Sequence, residues 1–291
     1  MIVVRLMGGL GNQLFQYALG RHLSLKAKTT LRLDCSLLPV ADTPYRYELH
    51  AYRLDAQQAI PRDVRRFNEA YRGVKGLVAR AAHRWRFGTR RTHIVERTLD
   101  FDPEVLAAGD DVMLEGYWQS PRYFESIEQT LRNDLRLRSP LPEAAQAAAA
   151  ALREEESVCV HVRRGDYVSD PRAAAFHGSC GMDYYDEAIA RVISRIPGAR
   201  FHVFSNDPGW VRDHFRLPVP FQCVEATPEQ PHVDLAVMSS CRHFVIANSS
   251  YSWWAAWLSH SDRKVVVAPR KWFRAAEIDP ASRFPPDWIV A

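Results

Sequence analysis

From residue 157 to residue 268, short apolar runs alternate with helical stretches, and this alternation leaves the chain few ways to fold. Residues 157–162 (Ser-Val-Cys-Val-His-Val) read as a buried strand. A helix is expected over 182–196, where Pro197-Gly198 breaks it. Strand 200–205 precedes a helix over 209–215, and strand 221–224 precedes one over 234–240. Strand 243–247 leads to a helix over 250–260, and 265–268 is a last strand. Strands separated by helices do not close as hairpins. They pair in parallel, with helices packed on the sheet. The fold class is α/β, with a doubly wound sheet.

The chain opens in the same way. Residues 2–6 form a strand, Met7-Gly8-Gly9-Leu10-Gly11-Asn12 a glycine-rich turn, and 13–25 a helix with Leu14, Tyr17, Ala18 and Leu25 on one side. Residues 29–33 form a second strand, ending at Asp34. Residues 112–117 read as a strand and the segment around 125–131 as a helix. Ser139-Pro-Leu-Pro142 then introduces an alanine-rich helix, because prolines set helix starts. The expected organisation is an N-terminal domain over 1–142, a connecting helix over 143–156 and a C-terminal domain over 157–291. A length of 291 residues accommodates two such domains, and 47% hydrophobic residues can supply their cores.

The net charge of +4 suits an anionic ligand or a membrane surface better than dedicated nucleic-acid binding. Five scattered cysteines without a CxxC pair suggest neither a disulfide framework nor a zinc site, and fit a reducing compartment. No secretory leader precedes the first strand, and no apolar stretch is long enough to span a bilayer. A cytoplasmic protein is expected, soluble or peripheral at the inner membrane. Peripheral contact would fall to the basic stretch 62–97, as an amphipathic helix on anionic lipid; the plainer reading is a solvated helix packed on its domain.

Chemistry gathers where strands end. After strand 157–162 come Arg163, Arg164, Gly165 and Asp166. Two guanidiniums at a strand end suit a diphosphate, because each offers fixed bidentate donors and keeps its charge. Ser205, Asn206 and Asp207 end the next strand. Asn248, Ser249 and Ser250 follow another and open a helix, whose free N–H groups favour an anion. These loops lie at one edge of a parallel sheet and can face one nucleotide diphosphate. Trp253, Trp254 and Trp257 read as core. Asp100-Phe-Asp102 is a DxD pair, but Asp102-Pro103 reads as a helix start, so no metal is assigned. The opening loop also admits a nicotinamide-dependent oxidoreductase. Gly9-x-Gly11 and Asp34 fit a dinucleotide fingerprint, although Leu14 stands where the third glycine is needed. A non-catalytic glycan- or lipid-binding protein is a third reading, and it leaves the strand-end loops without a purpose.

Three long motifs carry a resemblance: Gly8-Gly-Leu-Gly-Asn12-Gln-Leu-Phe-Gln16, His161-Val-Arg-Arg-Gly-Asp166 and Asn248-Ser-Ser-Tyr-Ser-Trp-Trp254. With Phe176-His-Gly-x-Cys180, Asp183-Tyr-Tyr185 and Asp234-Leu-Ala-Val-Met-Ser239, they resemble the bacterial α-1,2-fucosyltransferases of glycosyltransferase family 11. The resemblance implies a GT-B-like fold of two Rossmann-like domains around an interdomain cleft. It implies GDP-fucose as donor, bound by the C-terminal domain, and a galactose-terminated glycan as acceptor. Fucose would pass to the galactose 2-hydroxyl with inversion, without cofactor or obligatory metal. Eukaryotic relatives carry a membrane anchor ahead of the catalytic domain, and none is read here.

Arg163 and Arg164 would belong to the GDP-fucose site, with His161 in the same motif. Arg163 would stabilise charge on the departing β-phosphate, and Arg164 either shares that task or holds the loop. Asp166 and His177 are expected to shape the catalytic centre, with Asp170 a further candidate base. Gly9, Gly11, Asn12 and Gln13 would approach substrate from the N-terminal domain. Acceptor contacts are expected near Trp118, Gln119 and Arg122.

Overall fold

The computed structural model describes residues 1–38, 45–69, 93–165, 168, 170–225, 227, 229–274 and 277–291, with the side chains of 66, 68 and 69 excepted. Asp166 and most of the basic stretch 62–97 lie outside the described residues. The chain divides into two compact units, Met1–Arg138 and Ser139–Ala291.

In the first unit the strands are β1 (Ile2–Arg5), β2 (Leu31–Asp34), β3 (Gln57–Gln58), β4 (His93–Val95) and β5 (Val112–Glu115). Among the described residues they form one parallel sheet in the order β3-β2-β1-β5-β4. Its helices are α1 (Leu10–Ala27), α2 (Pro61–Glu69) and α3 (Glu128–Asp134). α1 crosses from β1 to β2, and twelve of its residues are buried. The helix lies close on the sheet because of Gly20, where a Cβ would fall 2.4 Å from Val4 Cγ2 and 2.8 Å from Leu31 Cδ1. The close approach that a dinucleotide fold obtains from a third glycine is supplied here six residues later, and Leu14 is an ordinary core residue.

The second unit contains α4 (Glu143–Glu154), β6 (Ser157–Val162), α5 (Pro171–Phe176), α6 (Met182–Ile193), β7 (Arg200–Ser205), α7 (Pro208–His214) and β8 (Phe221–Cys223). It continues with α8 (Pro231–Met238), β9 (His243–Val245), α9 (Ser250–Leu258), β10 (Val266–Ala268), α10 (Pro280–Arg283) and β11 (Ile289–Val290). The helix expected as a connector, α4, packs against α8 and belongs to this unit.

The strand order is β11-β10-β9-β6-β7-β8, and every pairing is parallel. Counted from β6, this is the doubly wound order 3-2-1-4-5-6 of a mononucleotide-binding sheet. All six residues of β6 are buried, which explains its nearly unbroken apolar run at the centre of the sheet. The chain proceeds outward in one direction from β6 and in the other from β9. The crevice between their carboxyl ends is therefore the topological switch point, where open α/β sheets receive ligands.

Candidate functional site

Continuing the strand registers a few residues further aligns the loops at this edge. Val162 pairs with Ser205 and Val160 with Val245, so Arg163, Asn206 and Asn248 fall in one row across the sheet. The sequence motifs after β6, β7 and β9 thus meet at the switch point.

The β6 loop is locked to the β7 loop. The Arg164 backbone N–H donates to Asn206 Oδ1 at 2.9 Å. Gly165, at φ +30°, passes so close that a Cβ would lie 2.1 Å from Asn206 Nδ2, so only glycine fits there. The Arg164 guanidinium lies 3.8 Å above the Trp210 ring and pairs with Asp207 at 3.4 Å. Asp207 also caps α7, accepting from the Trp210 N–H at 3.1 Å, and Ser205 Oγ accepts from the Asp207 N–H at 3.0 Å. The three residues expected to face a nucleotide therefore form a bracket for Arg164. Sequence reasoning missed Trp210, although Asp207-Pro-Gly-Trp210 signals a capped helix with an aromatic in its first turn.

His161 is buried two residues before Arg163 on the same face of β6, and its Nδ1 has no hydrogen-bond partner among the described residues. Burial, with the adjacent Arg163 charge as a second cause, lowers its pKa to about 3. The imidazole is therefore neutral at physiological pH, and Nδ1 can pair with a ligand. Tyr185 holds this part of the strand, its hydroxyl donating to the His161 carbonyl at 3.0 Å.

Asn248 is 2% exposed. Its Nδ2 lies 3.2 Å from the His177 carbonyl, 3.1 Å from that of Gly178 and 3.1 Å from that of Trp272, while Oδ1 accepts from the Cys180 thiol at 3.5 Å. The amide ties the β9 loop to the segment after α5. Burial pushes the Cys180 thiol up to about 12, so it is a packing group and not a nucleophile. Ser249 occupies the N-cap of α9, but its hydroxyl makes no cap bond. Ser250 begins the helix and is half-buried, whereas Trp253, Trp254 and Trp257 are buried. His177 ends α5, its ring 5.6 Å from Phe273 and 5.0 Å from Phe176. Asp170 caps α5 through the Arg172 N–H at 2.8 Å.

The first unit has its own switch point between β1 and β5. Gln16, fully buried, accepts from the Met7 N–H at 3.0 Å and donates to the Gly116 carbonyl at 3.0 Å, joining the two loops. Gln13 is likewise a clasp: it donates to the carbonyls of Gly8 and Arg46 and accepts from the Glu48 N–H. Asn12 accepts from Gln119 at 2.8 Å, and Gly9 is the N-cap of α1, with Gly11 in its first turn. Asp34, 2% exposed, pairs with Arg5 at 3.1 Å and accepts from the Ser36 N–H. Its carboxylate is thus engaged where a dinucleotide fold would offer it to a ribose. Asp102 caps a 3-10 turn through the Glu104 N–H.

Residues 97–291 match the model of glycosyl transferase family 11. The chain belongs to glycosyl transferase family 11. It is 30% identical to an alpha-1,2-colitosyltransferase of Escherichia coli, an alignment covering 99% of this chain and 98% of the relative. It is also 30% identical to the E. coli O-antigen biosynthesis glycosyltransferase WbnK, over 92% and 93% of the two chains. The mouse galactoside 2-alpha-L-fucosyltransferase Sec1 is 25% identical over 99% of this chain and 73% of its own. Among solved structures, a variant of Arabidopsis thaliana FUT1 in complex with GDP superposes with a TM-score of 0.50 at 11% identity, covering 98% of this chain and 72% of that one. The shared architecture is that of GT-B transferases, with two parallel-sheet Rossmann-like units. This family 11 chain is a fucosyltransferase-like glycosyltransferase. Among its described residues no helix is long and apolar enough to cross a membrane.

Proposed function

We propose that the protein transfers L-fucose from GDP-fucose to the 2-hydroxyl of a terminal galactose, with inversion. One observation carries this reading: the Arg163-Arg164 loop sits at the switch point of the second unit, with Arg164 bracketed by Asn206, Asp207 and Trp210. Such a loop presents fixed positive charge to a diphosphate.

In the reaction the bond from fucose C1 to the β-phosphate oxygen breaks, and its electron pair leaves with GDP. The acceptor oxygen bonds to C1 from the opposite face and releases its proton to solvent. Arg163 meets the charge growing on the β-phosphate, and His161, neutral and with Nδ1 unpaired, hydrogen-bonds the donor. The amino-terminal end of α9, which begins at Ser250, adds to the anion site. His177 and Asp166 shape the acceptor side. Asp170 caps α5 through the Arg172 N–H.

The E. coli colitosyltransferase supports a second donor reading. Colitose is 3-deoxyfucose, so the two donors differ by one hydroxyl. A site built to hydrogen-bond a hydroxyl rejects the analogue lacking it by roughly 10⁴–10⁵. Transfer assays with GDP-fucose and GDP-colitose on a panel of galactosides, with linkage analysis of the product, decide between them. Arg163→Lys, which removes the bidentate fork, is expected to lower kcat about 100- to 1,000-fold. Near wild-type transfer by that variant, or thermal stabilisation by NADH and not by GDP, would overturn the proposal.

A further inference from the structure

The opposite edge of the second unit's sheet holds a cavity of about 900 Å³. It lies where α4, α6, α8 and α9 end and β6, β9 and β10 begin, a six-residue strand away from the Arg163 loop, or roughly 20 Å. Four arginines line it, Arg153, Arg195, Arg242 and Arg263, against two carboxylates, Glu156 and Asp262.

Basic residues at helix carboxyl ends are ordinary, because the orphan carbonyls there attract cations. That role accounts for part of the charge. Arg242 donates through Nε and Nη2 to the Arg153 carbonyl, Arg195 to the Arg191 carbonyl, and Lys264 to the carbonyls of Ala256 and Ser259. Glu156 is also engaged. It accepts from Arg242 at 2.8 Å and from His243 Nε2 at 2.9 Å. His243 Nδ1 accepts from the Val265 N–H at 3.1 Å, so the bond to Glu156 is donated by Nε2.

Arg153 and Arg263 remain in excess. Arg153 makes one side-chain hydrogen bond, from Nη2 to Ser240 Oγ at 2.9 Å, and among the described residues neither arginine forms an ion pair. Both are exposed. Beside Arg195 the rim is apolar, with Ile193 44% exposed and Ile196 lining the cavity.

We propose that this cavity binds a phosphate-bearing anion, at a site apart from the donor loops. The donors left over on Arg153 and Arg263 take the phosphate oxygens, and the apolar rim accommodates a ligand whose phosphate carries hydrocarbon. The inference stands independently of the fucosyl assignment.

The test uses the full chain with two probes: inorganic pyrophosphate in titration calorimetry, and phosphatidylglycerol vesicles in flotation, with phosphatidylcholine vesicles as control. With GDP saturating the donor site, Arg153→Gln/Arg263→Gln is expected to weaken binding about 30-fold, while Arg163→Lys leaves it within twofold. Binding of both probes, with that pattern, assigns a general phosphate site. Binding of vesicles alone, lost in the double variant, assigns a lipid headgroup. Loss in Arg163→Lys but not in the double variant overturns the proposal, as does absence of binding to either probe. Arg263→Gln alone, which removes no contact of the described fold, serves as the variant whose folding is secure, with an expected loss of several-fold.

Discussion

Asn248 follows a strand in a loop of hydroxyl and amide residues, and on sequence it reads as a donor ligand. Its geometry makes it a clasp, and Asn248→Ala separates the two roles. One amide has two hydrogens, shared here among three carbonyls at 3.1–3.2 Å. Two such bonds contribute about 1 kcal/mol each, and buried carbonyls left without donors cost about 1–3 kcal/mol more. A loss of about 3 kcal/mol follows. For a unit of about 150 residues each kcal/mol moves Tm by roughly 2–4 °C, so the ligand-free protein should melt about 6–12 °C lower. Asn248→Asp sharpens the experiment. It preserves shape but points a carboxylate oxygen at the carbonyls of His177, Gly178 and Trp272, and should be at least as harmful. The assay is thermal unfolding without nucleotide, followed by nucleotide titration. If Asn248→Ala leaves the ligand-free Tm within 2 °C but abolishes GDP binding, the amide faces the ligand and the clasp reasoning fails.

Three further outcomes are expected. Trp210→Leu removes the ring under Arg164, a contact of about 1 kcal/mol, and should slow transfer about fivefold while changing Tm little; a loss as large as that of Arg163→Lys would mean that Arg164 itself meets the phosphate. His161 remains neutral in the native state down to about pH 3, whereas in the unfolded chain it takes a proton below about pH 6.5. The unfolded state then binds more protons, so stability falls as pH drops from 6.5 toward 3, by at most about 4–5 kcal/mol. His161→Gln should flatten this limb of a Tm-against-pH curve, and an unchanged slope would refute the assignment. Asp34→Asn breaks a buried pair with Arg5 and should destabilise the first unit by roughly 3–5 kcal/mol; a variant as stable as wild type but deficient in nicotinamide binding would revive the dinucleotide reading.

The alternation of strands and helices was legible because each element has a local signature. β6 reads as a buried strand from its own residues, and α1 and α9 read as helices behind their loops. Edges were less legible. β3 has two residues and β11 two, too few to show a period, and α5 is a six-residue helix visible only through its Asp170-Pro171 start. Strand order was not legible at all. It depends on which distant strands pair, and the register that aligns Arg163, Asn206 and Asn248 is set by packing across the whole sheet. Sequence could gather these loops at one edge, but it could not say that β6 and β9 flank the switch point.

The same limit explains why the structural partners of the polar loop residues were not legible in the sequence. A switch point separates two loops that backbone pairing no longer joins, and each leaves N–H and C=O groups unpaired. A buried primary amide supplies both a donor and an acceptor, so one side chain can serve both loops. Gln16 does this between Met7 and Gly116, Gln13 between Gly8 and Glu48, and Asn248 across the segments carrying His177 and Trp272. Asn206 and Asp207 do the equivalent for Arg164. Beside these clasps the crevice presents Arg163, the Nδ1 of His161, unpaired among the described residues, and the amino-terminal end of α9 at Ser250. A cation, a neutral imidazole and a helix amino terminus around one crevice are together suited to a leaving diphosphate. Assays of donor binding should therefore begin with these positions, and assays of stability with the amides that surround them.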